Sequence, residues 1–202
     1  MNIPALDHLL TGEIATLTLM PDGTTRSNDA PVGALLCGSF NPLHAGHLGM
    51  ARAAQALSGL PVAFELAVIN ADKGSLAPAE VVRRATQFAG QHTLVLSCTP
   101  LFTAKATLYP GRTFVLGYDT AARLLDPRYY PAANGLTQAL SSLRDLDCRI
   151  LVAGRLHAGH FQTLADLRVP PEFASLFQAI PESLFRADIS STQLRAQAAT
   201  ML

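Results

Sequence analysis

Val32 to Cys37 is a short, mostly apolar run that ends in Gly38-Ser39-Phe40-Asn41-Pro42-Leu43-His44-Ala45-Gly46-His47, after which Leu48, Ala51, Ala54 and Leu57 recur at helical spacing. A buried strand that turns directly into a helix is half of a βαβ unit, and its polar loop belongs on the rim of a parallel sheet. The first amides of a helix point outward unpaired and carry the positive end of its dipole, so such a turn suits an anionic phosphate. Gly38 and Gly46 permit close backbone approach, Pro42 stiffens the loop, and His44 and His47, three residues apart, share one side of the first turn. Histidines so placed can donate hydrogen bonds to phosphate oxygens. The bland alternative is a pair of surface histidines.

With ten residues in order, Gly-Ser-Phe-Asn-Pro-x-His-x-Gly-His resembles the His-x-Gly-His signature of the nucleotidyltransferase superfamily, in the longer form of nicotinamide and nicotinate mononucleotide adenylyltransferases. The resemblance covers most of residues 32 to 198. It implies an α/β fold, a Rossmann-like doubly wound parallel sheet of nucleotidyltransferase type.

The 202 residues suffice for one ordinary domain. We divide them into an N-terminal extension over 1–30 and a nucleotidyltransferase domain over 31–202. Charged residues make up only 15% of the chain, against about 25% typically, which is compatible with a homo-oligomer. Fifteen basic and fifteen acidic residues cancel, so no overall field favours nucleic acid or an anionic membrane, and anion binding must be local. Cys37, Cys98 and Cys148 each lie in or beside an apolar run and read as buried thiols. Neither a basic segment leading into an apolar core nor an uncharged apolar run of about eighteen residues is present, so the expected location is cytoplasmic.

Along the chain, Ile14 to Met20 reads as a strand before a Pro21-Asp22-Gly23 turn. Val62 to Ile69 is a second apolar strand with Glu65 embedded in it, and it delivers Asp72 and Lys73 to the rim where a substrate phosphate could sit. Ala79 to Ala89 has helical spacing, with Glu80 four residues before Arg84. Lys73 followed by Arg84-x-x-Gln87 resembles the lysine and helical arginine that flank the mononucleotide site in the family; a simple Glu80–Arg84 pair is equally consistent with the spacing. Thr93 to Ser97 and Thr113 to Leu116 are further strands, and the latter leads into Gly117-Tyr118-Asp119-Thr120. Asp119 can cap the helix that follows. The resemblance also assigns Gly117 and Asp119 to the nucleotide site.

Many family members stack a tryptophan on the pyridine ring after this helix, whereas this chain has none; Tyr129 or Tyr130 is the substitute, with Tyr118 beside the acceptor. Gln138 to Leu146 reads as a helix and Arg149 to Ala153 as a strand that delivers Arg155, which matches a family arginine. Leu156-His157-Ala158-Gly159-His160 repeats the letters of Leu43 to His47 without the preceding Gly-Ser-Phe-Asn-Pro, and we read it as coincidence. Pro170 and Pro171 open a helix at Glu172 to Phe177, then Phe177 to Ile180 reads as a last strand. Near the end, Ile189-Ser190-Ser191-Thr192-Gln193-Leu194-Arg195 offers hydroxyls that can cap a helix or hold phosphate oxygens, with Arg195 one turn inside. This run resembles the family's second signature, which grips the ATP triphosphate. Aminoacyl-tRNA synthetases share the histidine logic, but their lysine-rich second loop is missing here.

The implied reaction is attack of a mononucleotide phosphate on the α-phosphorus of ATP. His44, His47 and Arg195 are the expected catalytic residues. Gly38, Ser39, Phe40, Gly46, Gly117, Asp119, Arg155, Ser190, Ser191 and Thr192 join them around ATP, and Ser39, Phe40, Lys73, Arg84, Tyr118, Asp119, Tyr129 and Tyr130 surround the acceptor. Mg²⁺ is expected to bind through phosphates and water, since no acidic cluster offers a cage. The rival expectations are an adenylyl- or cytidylyltransferase using another phosphorylated acceptor, and a non-catalytic nucleotide-binding regulatory module.

Overall fold

The computed structural model of the chain describes residues 3, 5–70, 74–130, 132–157 and 159–187. In chain order its elements are α1 (Leu6–Leu10), β1 (Thr16–Leu19), β2 (Thr25–Ser27), β3 (Ala34–Cys37), α2 (Ala45–Ser58), β4 (Val62–Ala67), β5 (Ile69–Asn70), β6 (Gly74–Ser75) and α3 (Pro78–Thr86). Then come β7 (Leu94–Ser97), α4 (Phe102–Leu108), β8 (Thr113–Gly117), α5 (Tyr118–Leu124), α6 (Gly135–Asp145), β9 (Arg149–Ala153), β10 (Arg155–His157), β11 (His160–Gln162) and β12 (Phe177–Ile180).

Eight strands form one sheet in the order β12-β9-β8-β3-β4-β7-β1-β2. Every pairing from β12 to β7 is parallel. Counting only these parallel strands along the chain, β3 is first and β4 and β7 build outward on one side, whereas β8, β9 and β12 build outward on the other. That is the doubly wound Rossmann order, and it opens a crevice beyond the carboxyl ends of β3 and β8, where the winding reverses.

β3, β7 and the first four residues of β8 are buried throughout, as strands covered by helices on both faces must be. Alternate side chains serve opposite layers. Leu36, Phe64 and Leu66 pack with Ala53, Ala54, Val81 and Phe88 of the α2 and α3 side. Leu35, Phe114 and Leu116 pack with Phe102, Leu140 and Leu143 of the α4 and α6 side.

Within residues 16–27, β1 lies antiparallel on β7, and β2 forms the outer edge. The segment expected as a helix over Glu172 to Phe177 is a 3₁₀ helix, Pro171–Leu176, which ends as β12 begins. All three cysteines are free; Cys37 and Cys148 are buried, and Cys98 is half-buried. Glu65 accepts a hydrogen bond from Ser97 Oγ at 2.7 Å and forms a buried ion pair with Lys105 of α4. Burying two opposite charges together is tolerable, whereas burying either alone costs several kcal/mol, roughly 3–5. The pair therefore fixes α4 on the sheet. No helix among the described residues is long and apolar enough to cross a membrane.

Candidate active site

The loop after β3 is shaped by Phe40. This residue adopts φ 45°, a left-handed conformation that side chains disfavour, and its ring is fully buried. The ring meets Phe64 at 5.6 Å, Phe88 at 5.2 Å and the imidazole of His47 at 5.1 Å, each edge to face. A Cβ on Gly38 would lie 2.8 Å from the Phe40 ring, so glycine is required there for the ring to fold back. Phe40 is thus an anchor for the loop, and its aromatic side chain is absorbed by the core.

The histidines close the helix terminus reciprocally. The Gly46 amide donates to His44 Nδ1 at 3.2 Å, and the His44 amide donates to His47 Nδ1 at 3.3 Å. This is a capping box built from imidazoles. The rings stack with centroids 3.8 Å apart. Burial, and then the neighbouring His44, push the His47 pKa down to about 4, and burial also lowers that of His44. Both rings are therefore neutral near pH 7. Because each Nδ1 is an acceptor, each neutral ring carries its proton on Nε2, where it is a donor. His47 does not simply face a ligand, since part of its ring belongs to the Phe40 cluster.

Across the crevice, Gly117 ends β8, and a Cβ placed on it would touch Met50 of α2 at 3.8 Å. Tyr118 is half-buried and begins α5; the exposed Asp119 follows in its first turn. Asp119 forms an ion pair with Arg155, the first residue of β10. These two expected nucleotide ligands are thus brought together at the ends of adjacent strands.

Arg84 is nearly buried. Its Nε donates to Glu80 Oε1 at 2.7 Å and its Nη1 donates to the Ser39 carbonyl at 2.9 Å. The hydrogen bonds from Arg83 and Arg84 hold the Glu80 carboxyl down at about 2. Gln87, named by the sequence only as a neighbour of Arg84, also reaches the loop. It sits three residues from Arg84 on a face otherwise made of Val81, Ala85 and Phe88, and its partners in the loop lie more than forty residues away in the chain.

Tyr129 and Tyr130 line a different cavity of about 300 Å³ with Thr103, Gln138 and Ser142, and the Tyr130 hydroxyl donates to the Leu124 carbonyl at 3.0 Å. A larger cavity of about 500 Å³ lies along α2, walled by Gly46, Gly49, Arg52 and the chain from Leu184 to Ala187. Asp72, Lys73, Ser190, Ser191, Thr192 and Arg195 lie outside the described residues. Among the described residues no group of three or more histidine, cysteine or acidic side chains could hold a metal.

A protein of Gloeobacter violaceus named "Probable nicotinate-nucleotide adenylyltransferase" is 34% identical over 182 residues, 80% of this chain and 81% of its own. The chain belongs to the nicotinate- and nicotinamide-nucleotide adenylyltransferase family of nucleotidyltransferases. A Schizosaccharomyces pombe protein named as a candidate nicotinamide mononucleotide adenylyltransferase is 32% identical over 117 residues, 51% of this chain and 45% of its own. No family model and no solved structure matches the chain. The family's doubly wound α/β sheet is the one described above.

Proposed function

We propose that this protein transfers AMP from ATP to nicotinamide or nicotinate mononucleotide, giving NAD or its acid form and pyrophosphate. The observation that carries this reading is the histidine turn at the strand-order reversal: two neutral imidazoles with Nδ1 committed to backbone amides, at a helix terminus suited to phosphate. The names of the relatives point to the substrate class.

An oxygen of the mononucleotide phosphate attacks the α-phosphorus of ATP. A new P–O bond forms while the bond from that phosphorus to the α,β-bridging oxygen breaks, and pyrophosphate leaves with the electron pair. The protein's task is to align two anions and stabilise charge on the bridging and leaving oxygens. His44 and His47 do so by donating from Nε2. Gly117, Tyr118 and Asp119 form the opposite wall, with Arg155 holding the Asp119 carboxylate.

Ser190, Ser191, Thr192 and Arg195 hold the β- and γ-phosphates in this reading, and Lys73 holds the acceptor phosphate. In support, the described chain reaches Ala187 on the wall of the cavity that Gly46 also lines. Mg²⁺ would enter with ATP as part of the substrate and would offset phosphate charge. The setting is cytoplasmic.

The test is pyrophosphate release from ATP and Mg²⁺ with each pyridine mononucleotide and a panel of other phosphorylated acceptors in parallel. Release with a pyridine mononucleotide is expected and sets the base preference. Release with only a different acceptor, or with none despite ATP binding, overturns the reading.

A further inference from the structure

Helix α3 carries no residue of the histidine signature, yet it makes the polar contacts that shape the loop before it. Gln87, the C-cap of α3, donates from Nε2 to the Phe40 carbonyl at 3.0 Å and accepts at Oε1 from the Leu43 amide at 2.8 Å. One turn earlier, Arg84 Nη1 takes the Ser39 carbonyl at 2.9 Å, and on the exposed flank Arg83 Nη2 donates to Asn41 Oδ1 at 2.6 Å. Glu80 aligns both guanidinium groups from below, through Arg83 Nε at 2.6 Å and Arg84 Nε at 2.7 Å. The Phe88 ring, next along, packs on the anchoring Phe40.

Phe40 and Leu43 stand in the relation of the first and fourth residues of a four-residue turn, whose carbonyl and amide ordinarily bond to each other. Here the planar carboxamide of Gln87 bonds to both groups. A carboxamide, with one donor and one acceptor side by side, matches that pair. Glutamate lacks the donor, methionine lacks both, and asparagine is one methylene short. The residue that follows Leu43 is His44, whose amide and ring begin the imidazole capping box.

Resting on the function proposed above, we propose that Gln87, backed by Arg84, is a positioning residue for nucleotidyl transfer: its carboxamide bridges Phe40 and Leu43 and thereby sets the aim of His44 and His47. It touches no reacting atom. Arg84 is assigned to the Ser39 carbonyl by the same geometry, which makes it part of the clamp.

The test compares Gln87→Met and Gln87→Glu with the unaltered protein, reading hydrogen exchange at the Leu43 amide and kcat and KM for ATP and the active pyridine mononucleotide. Gln87→Met removes both contacts. It is expected to speed Leu43 exchange about tenfold, the order of one lost hydrogen bond, while amides of the central strands keep their rates. It is also expected to lower kcat about tenfold to a hundredfold with KM for ATP changed less than about threefold, as a misaimed catalytic group does. Gln87→Glu keeps an acceptor for Leu43, so it should retain protection there and fall between the other two in kcat. Unchanged Leu43 exchange in Gln87→Met overturns the proposal, and so does faster exchange with kcat within twofold of the unaltered protein. A uniform rise in exchange across the central strands, with Gln87→Glu equal to Gln87→Met, would show a role in stability alone. If the unaltered protein releases no pyrophosphate with any acceptor, the function proposed above fails, and Leu43 exchange still reads the clamp.

Discussion

Leu43-His44-Ala45-Gly46-His47 and Leu156-His157-Ala158-Gly159-His160 are the same five letters in one chain, and they fold differently. The first opens α2, with Gly46 buried and each imidazole bonded to a backbone amide. The second contributes to the β10–β11 hairpin, with His157 opposite His160, both exposed, and Gly159 at φ +81°. Neighbours decide between them. Before the first copy, Phe40 sinks into the core and α3 grips the loop. Before the second, Gly154 leaves space for Phe161 to fold over the backbone, where a Cβ would lie 2.6 Å from the ring. The same five letters thus cap a helix only where an anchor and a clamp hold the turn.

The anchor is the place to break that contrast hardest. Phe40→Ala should destabilise the protein by about 3–5 kcal/mol, as emptying a fully buried aromatic site does, measured by denaturant unfolding. Phe161, the half-buried ring that follows the second copy, should cost clearly less when replaced by alanine.

Next in size is catalysis. His47→Ala should lower kcat roughly a hundredfold or more, the scale of one lost transition-state donor, in a pyrophosphate-release assay. Some stability should go with it, because the His47 ring also packs on Phe40.

A smaller effect follows from titration. Folding lowers the His47 pKa from 6.5 to about 4, so between those values the unfolded chain binds more protons than the folded one. The stability linked to His47 is therefore full above about pH 6.5 and is lost as pH falls toward 4. Melting temperatures across that window should slope less steeply in His47→Gln. Smallest of all, Gly159→Ala should cost only about 1–2 kcal/mol, the strain of a side chain in left-handed backbone, with no change in kcat.

The sequence made the parallel core and the histidine turn legible because both rest on local signals: apolar runs alternating with helical spacing, and a glycine-bounded loop between strand and helix. The helical spacing from Leu48 to Leu57 falls within α2 (Ala45–Ser58), and the strand over Arg149 to Ala153 coincides with β9. What stayed hidden depends on pairs distant along the chain. Glu65 could be seen inside an apolar strand, but its partner Lys105 lies forty residues away. The bond from Gln87 to Phe40 spans forty-seven, and nothing local marks a helix-end glutamine as part of a loop. Likewise, Ile14 to Met20 read as a strand, yet its place antiparallel to β7 follows from packing in three dimensions.

The most direct measurement is pyrophosphate release from ATP and a pyridine mononucleotide by three proteins: the unaltered chain, His44→Ala/His47→Ala and His157→Ala/His160→Ala. We expect the first double variant to lose at least about a hundredfold in kcat and the second to match the unaltered chain. Equal activity in all three, or loss only in the second double variant, would contradict the assignment of the site to the turn between β3 and α2.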